Sequence, residues 1–298
     1  MKMRFLVPAL CVAVIASNTN GANLDNAKIE QITGLKGTWS AAEEVFKVTN
    51  PRNDLPVTVD GWKMPPFMGL TSWAAFAGGK QADAMVMGDL VLFQDEVNTV
   101  MSAALDNGLS VTALHNHFFF DEPKVYFMHI SGEGSVETLA TGLRNALAKV
   151  KDIRAANPQP ATKFSGPPLA AQSSITGKNI EEILEVKGQG NNGMFKVVIG
   201  RSTKMPCGCE IGKEMGVNTW AAFAGDDLNA VVDGDFAVLE SELQPVLKSL
   251  RHGGINIVAI HSHMTQENPR ILFLHYWGRG KVADLATSLK SALATQRQ

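Results

Sequence analysis

The sequence predicts an α+β fold made twice: two duplicated domains, each with helices packed on a mostly antiparallel sheet, in a ferredoxin-like arrangement. Three observations predict it. The chain repeats itself, each copy alternates stretches of period two with stretches of helical period, and a segment rich in Pro, Ala, Gln and Ser separates the copies. WAAFAG stands at 73–78 and again at 220–225, and GDLVLFQDEV at 88–97 answers GDFAVLESEL at 234–243. SVTALHNH at 110–117 answers NIVAIHSH at 256–263, and ETLATGLRNALA at 137–148 answers ADLATSLKSALA at 283–294. Self-similarity on this scale means that one structural unit has been copied.

Taken in order, residues 1–22 read as a signal peptide: MKMR is cationic, FLVPALCVAVIA is apolar, and a small-residue exit ends at Ala22. The expected location is therefore the periplasm or outside the cell. Residues 23–154 form the first repeat domain, 155–175 the linker and 176–298 the second repeat domain. FKV at 46–48 and WAAFAG are strand-like, and AMVMGDLVLF alternates as a strand. QDEVNTVMSAALDNG places Val97, Val100, Met101 and Leu105 at helical spacing and ends on Gly108. SVTALHNHF and KVYFMHISG are strands joined by a short turn, and SVETLATGLRNALAKV is an amphipathic helix.

Residues 115–129 read HNHFFFDEPKVYFMH and residues 261–275 read HSHMTQENPRILFLH, so six of the seven histidines fall in two matching stretches. On a strand, positions i and i+2 share a face, so His115 and His117 should project together. The returning strand brings His129 against them, because cross-strand neighbours on one face lie about 4.5–5.5 Å apart at Cβ. Asp121 and Glu122, at the turn, can supply an oxygen. The second copy repeats the pattern with His261, His263, His275 and Glu267. Neutral imidazoles with an optional carboxylate make a ligand set for a divalent transition metal, zinc first and copper second. Against this stands a structural reading, in which strand histidines bond one another or the backbone and the duplication copied them regardless of use.

Other residues rank lower. Asp89 and Asp235, in the paired GD, read as strand-end turns, and Trp73 and Trp220 as core aromatics that could wall a pocket. Glu96 and Glu242 open helices, where a carboxylate suits the dipole, and Ser241 with Gln244 makes a capping-box pattern. Arg52 and Arg201 could bind an anion, and His252, in RHGG, suits a helix C-terminus. After signal removal only Cys207 and Cys209 are left, in CGC. Exported cysteines usually pair, but the small ring keeps a reducible bond and a metal-bound thiolate pair as alternatives.

Composition excludes several classes. The chain has 298 residues, is 45% hydrophobic and 19% charged, and carries a formal net charge of −2. With no basic run, nucleic acid is not an expected partner. No apolar stretch reaches the roughly 18 residues that a membrane span needs. G-x-S-x-G, the P-loop and a G-x-G-x-x-G in a βαβ setting are absent from the sequence.

The stretch GDLVLFQDEVNTVMSAALDNGLSVTALHNHFFFDEPKVYFMHISGEG, with GINIVAIHSHMTQENPRILFLHYWGRG in the second half, resembles the LppY/LpqO-like family of exported bacterial proteins, a domain of unknown function. The resemblance spans nearly the whole mature chain. It implies an exported or envelope-attached protein and brings no established reaction.

The expected function is thus an exported metal-binding protein with a His-rich site in each repeat. The second site is expected to be the better one, since MTQEN is polar where FFFDE is bulky and apolar. A metal-dependent hydrolase or oxidoreductase using the same histidines is the alternative, and a metal-free binder of a small ligand is the third reading. Met64, Met68, Met128, Met205, Met215 and Met264 would suit copper, although Met is more often core filler.

Overall fold

Each repeat contributes six strands to one sheet. In the first they are β1 (Gly37–Ser40), β2 (Val45–Pro51), β3 (Thr71–Gly78), β4 (Ala84–Phe93), β5 (Ser110–His115) and β6 (Val125–Gly134). In the second they are β7 (Gly188–Asn191), β8 (Met194–Gly200), β9 (Asn218–Gly225), β10 (Ala230–Leu239), β11 (Asn256–His261) and β12 (Ile271–Gly280). This computed structural model describes residues 24–296, so the signal segment 1–22 and Cys11 lie outside the described residues. The sheet runs β1-β2-β3-β4-β6-β5-β11-β12-β10-β9-β8-β7, the second repeat mirroring the first. Every pairing along it is antiparallel, including the seam between repeats, where Leu114 of β5 faces Ile260 of β11.

Helices α1 (Asn26–Thr33), α2 (Val97–Asp106) and α3 (Val136–Ala156) belong to the first repeat, and α4 (Gly177–Leu184), α5 (Leu243–His252) and α6 (Val282–Leu293) to the second. The short α1 and α4 go beyond the sequence expectation, and α3 runs past the expected repeat boundary to Ala156. Ser135 caps α3 by accepting from the Thr138 N–H at 3.1 Å. One apolar core unites helices and sheet through both repeats, with Phe76, Leu90 and Met128 from the first and Phe223, Phe236 and Leu274 from the second. A ferredoxin-like arrangement would put a strand that follows α3 beside β4. Here β3, which precedes it, fills that place, while β4 and β5 flank β6 as a split β-α-β unit. Among the described residues no helix is long and apolar enough to cross a membrane.

The seam is clamped reciprocally. The register of β5 slips between Val111 and Ala113, and that of β11 between Ile257 and Ala259. Such a bulge leaves backbone groups without ladder partners. The Gln244 amide from α5 takes both groups of Val111, donating to its carbonyl at 2.8 Å and accepting from its N–H at 2.9 Å. Asn98 of α2 does the same for Ile257, at 3.1 and 2.7 Å. Stranding part-buried backbone groups costs about 1–3 kcal/mol. Asn98→Ala and Gln244→Ala are each expected to lower stability by that amount in denaturant unfolding, and an unchanged midpoint would show that the clamp is idle. His252 belongs to the same seam, 3.0 Å from Asp106 of α2.

The helix-free face carries two smaller apolar clusters. Val57, Met64, Leu70 and Phe127 form one, and Ile211, Val217, Ile271 and Phe273 the other. At their margins Arg52 and Arg201 do hold an anion, but an internal one: Arg52 pairs with Glu96 at 2.6 Å, and Arg201 with Glu242. The two glutamates also accept from the N–H groups of Phe93 and Leu239, at 2.8 and 2.9 Å, closing the turns into α2 and α5.

Candidate functional site

Strand alternation builds the site. Along β12, Phe273, His275 and Trp277 point to the helix-free face, while Leu274 and Tyr276 enter the core. Cross-strand register then lines up Trp220, Asp235, His275 and Ala259 in one row over four strands. The first repeat has the same row in Trp73, Asp89, His129 and Ala113. The GD pairs therefore sit in mid-strand rather than at a strand-end turn. Gly234 is needed there because a Cβ would overlap the Tyr276 ring, whose hydroxyl donates to the Trp220 carbonyl at 2.8 Å.

β5 and β11 stop at His115 and His261, two residues short of what the H-x-H spacing suggested. His117 and His263 lie in the turn that follows. Each lies flat on the phenylalanine opposite the first histidine, with ring centroids 3.5 Å apart: His117 on Phe127 and His263 on Phe273. That stacking, and not strand alternation, carries His263 to the others. Its Nε2 is 3.2 Å from His261 Nε2 and 3.2 Å from an Asp235 carboxylate oxygen. One ligand atom each from Asp235, His261 and His263 falls within 4.8 Å of the other two. His275 stacks beside His261 at 4.5 Å. Asp235 is only 3% exposed, and its second oxygen, like His261 Nδ1, is buried without a protein partner.

In the first repeat His115 packs 5.1 Å from both His117 and His129, and Asp89 also carries an unpartnered buried oxygen. Among the described residues no group of three there closes to the distances of the second repeat.

The turn carboxylates have a different placement from the one expected. Asp121 accepts from the Val125 N–H at 2.7 Å and pairs with Lys124 at 2.9 Å. Glu267 accepts from the Ile271 N–H at 3.2 Å. Exposed Glu122 lies in a small strand opposite Thr58. Both turns contain a left-handed residue, Phe120 or Gln266, and a cis peptide before Pro123 or Pro269. The carboxylates of Asp121 and Glu267 thus hold the returning strand, and the one beside the histidines comes from Asp235. Sequence reasoning ranked Asp235 low. An acid in the middle of a ten-residue apolar strand was the available signal, because a buried charge needs a partner.

Burial, reinforced by His275 and His263 against an opposing pull from Asp235, lowers the pKa of His261 below 6.5. Burial chiefly does the same for His117. Such groups are neutral at neutral pH, as metal ligation requires. The sign for stability follows: the unfolded chain binds more protons below its own pKa of about 6.5, so the metal-free fold loses stability as pH falls through that value. Urea unfolding between pH 7.5 and 5.5 is expected to show the loss, reduced in His261→Gln; equal slopes would refute the assignment.

A cavity of about 660 Å³ opens at this site, with Asp235, His263, Trp220, Lys196 and Lys213 in its lining. Trp220 therefore walls a pocket and is not a core aromatic. The Lys196 ammonium rests over its ring, 4.2 Å from the centroid. Cys207 and Cys209 are bonded to each other in an exposed turn.

A protein-family model described as Domain of Unknown Function (DUF1259) matches the chain twice, over residues 27–149 and 178–295. The search of curated proteins gave no match. Among solved structures, a trimeric bacterial microcompartment shell protein, PduB, aligns with 87% of this chain and 89% of its own at 11% identity. Its TM-score of 0.23 is too low to bear on this fold.

Proposed function

Since the chain belongs to the family described as Domain of Unknown Function (DUF1259), whose description names no reaction, we propose a function from the chemistry of the site: an exported protein that binds a divalent transition metal. The observation that carries this is the convergence of Asp235, His261 and His263, one ligand atom each, within 4.8 Å. Two imidazoles and a carboxylate suit zinc, and the group has no thiolate to favour copper(I). Export is supported by the cationic and apolar segments of residues 1–22 and by the likeness to the LppY/LpqO-like proteins.

Metal analysis of protein purified without a tag tests the reading. About one equivalent of zinc is expected, lost in His261→Ala/His263→Ala and retained in His115→Ala/His117→Ala. Retention in both double variants would mean that the histidines are structural. Cys207→Ser/Cys209→Ser is expected to leave the stoichiometry unchanged, because the two sulfurs are bonded to each other. Loss of a full equivalent would make them ligands.

A metal-dependent enzyme is the second reading, favoured by one feature. Asp235 and His263 line an open cavity rather than a closed cage. Catalytic zinc sites hold the metal with three protein groups and keep a position for water or substrate, whereas structural sites use four.

A further inference from the structure

The cavity that meets Asp235 and His263 also contains three lysines, and they are not equivalent. Lys187 is held by Glu181 at 2.8 Å. Lys213 has a carboxylate no nearer than Glu214, at 3.9 Å on the exposed rim. Lys196 lies over Trp220 and has no carboxylate partner among the described residues. The first repeat keeps one of these features, Lys47 over Trp73 at 4.5 Å. It departs at the rim: in the short 3-10 turn that ends on a left-handed glycine, Pro66 and Phe67 stand where the second repeat has Lys213 and Glu214. Phe67 is 96% exposed. The cationic rim thus accompanies the repeat whose histidines and aspartate converge.

Charge decides what such a cavity accepts. Without metal, Asp235 and Glu214 offset Lys196 and Lys213. A divalent ion on Asp235, His261 and His263 adds two positive charges and leaves the cavity strongly cationic, with an open position on the metal. We propose that the cavity binds an oxyanion, a carboxylate or phosphate-type group, between that metal and the ammonium groups of Lys196 and Lys213. This rests on the metal reading above.

Calorimetric titration of the zinc-loaded full chain with inorganic phosphate, and separately with acetate, tests it, with zinc content measured on every sample. At least one anion is expected to bind, and which one assigns the ligand class. Binding should be absent from metal-free protein. Lys196→Met and Lys213→Met should each weaken it about tenfold or more, the scale of a lost hydrogen bond to a charged group, with zinc content unchanged. Lys187→Met should leave it as it is. Neither anion binding to zinc-loaded protein overturns the proposal, as does undiminished binding in both the Lys196 and Lys213 variants; in either case full zinc content leaves the metal reading standing. A protein that takes up no zinc defeats the metal reading, and the proposal falls with it.

Discussion

If the second repeat binds metal as proposed, Asp235→Asn is expected to abolish that binding while leaving the metal-free fold as stable as before, or more stable. The aspartate is buried, and one of its oxygens has no protein partner. The other lies 3.2 Å from His263 Nε2. A carboxylate in that setting bears a desolvation cost that local hydrogen bonds do not repay. Asparagine keeps the shape and removes the charge, so the metal-free protein gains or holds stability. The metal-bound protein loses a ligand. Outer partners of a metal ligand change affinity by about 10–100-fold, so loss of the ligand itself should exceed 100-fold. Zinc competition with a chelator measures the affinity, and thermal unfolding with and without zinc measures the linked stability. An asparagine variant that binds zinc as tightly as the native chain would remove Asp235 from the site.

Glu96→Ala is expected to be among the most destabilising single changes. Glu96 is fully buried and meets Arg52 at 2.6 and 3.0 Å, Arg154 at 2.9 Å and the Phe93 N–H at 2.8 Å. Removing it takes away the carboxylate that two buried guanidinium groups share and leaves Arg52 with Asp54 and Arg154 with Asp95, a change toward the lower end of about 3–5 kcal/mol. Against a total stability of about 5–15 kcal/mol, that is a fifth or more of the whole. Replacing Arg52 and Glu96 together by Met and Leu should recover part of the loss, since an apolar pair of similar volume is often tolerated where a broken ion pair is not. Denaturant unfolding of the single and double variants checks both statements. A single variant within 1 kcal/mol of the native chain would show that water reaches the site and screens it.

Much of this architecture was legible in the chain. Alternation in AMVMGDLVLF and KVYFMHISG and the helical spacing of Val97, Val100, Met101 and Leu105 appear as β4, β6 and α2. The short α1 and α4 were not legible, because eight residues carry too few periods to stand out. At the site, the spacing of His115 and His117 suggested a shared strand face. In fact the strands end at His115 and His261, and it is stacking on Phe127 and Phe273 that places His117 and His263.

By itself, then, the sequence determined what is local and periodic: the duplication, the strand and helix positions, and the two histidine stretches, each set by side-chain alternation within a short segment. The tertiary structure decided which carboxylate joins the histidines, because Asp235 lies 26 residues before His261 and reaches it only through the β10–β12–β11 register. It decided that Asp121 and Glu267 hold turns, since whether a carboxylate faces a ligand or a backbone N–H depends on how the loop closes. It also decided that two repeats make one sheet. Edge pairing of Leu114 with Ile260, and the exchange of Asn98 and Gln244 across the seam, are contacts between residues more than 130 positions apart, and no local pattern encodes them.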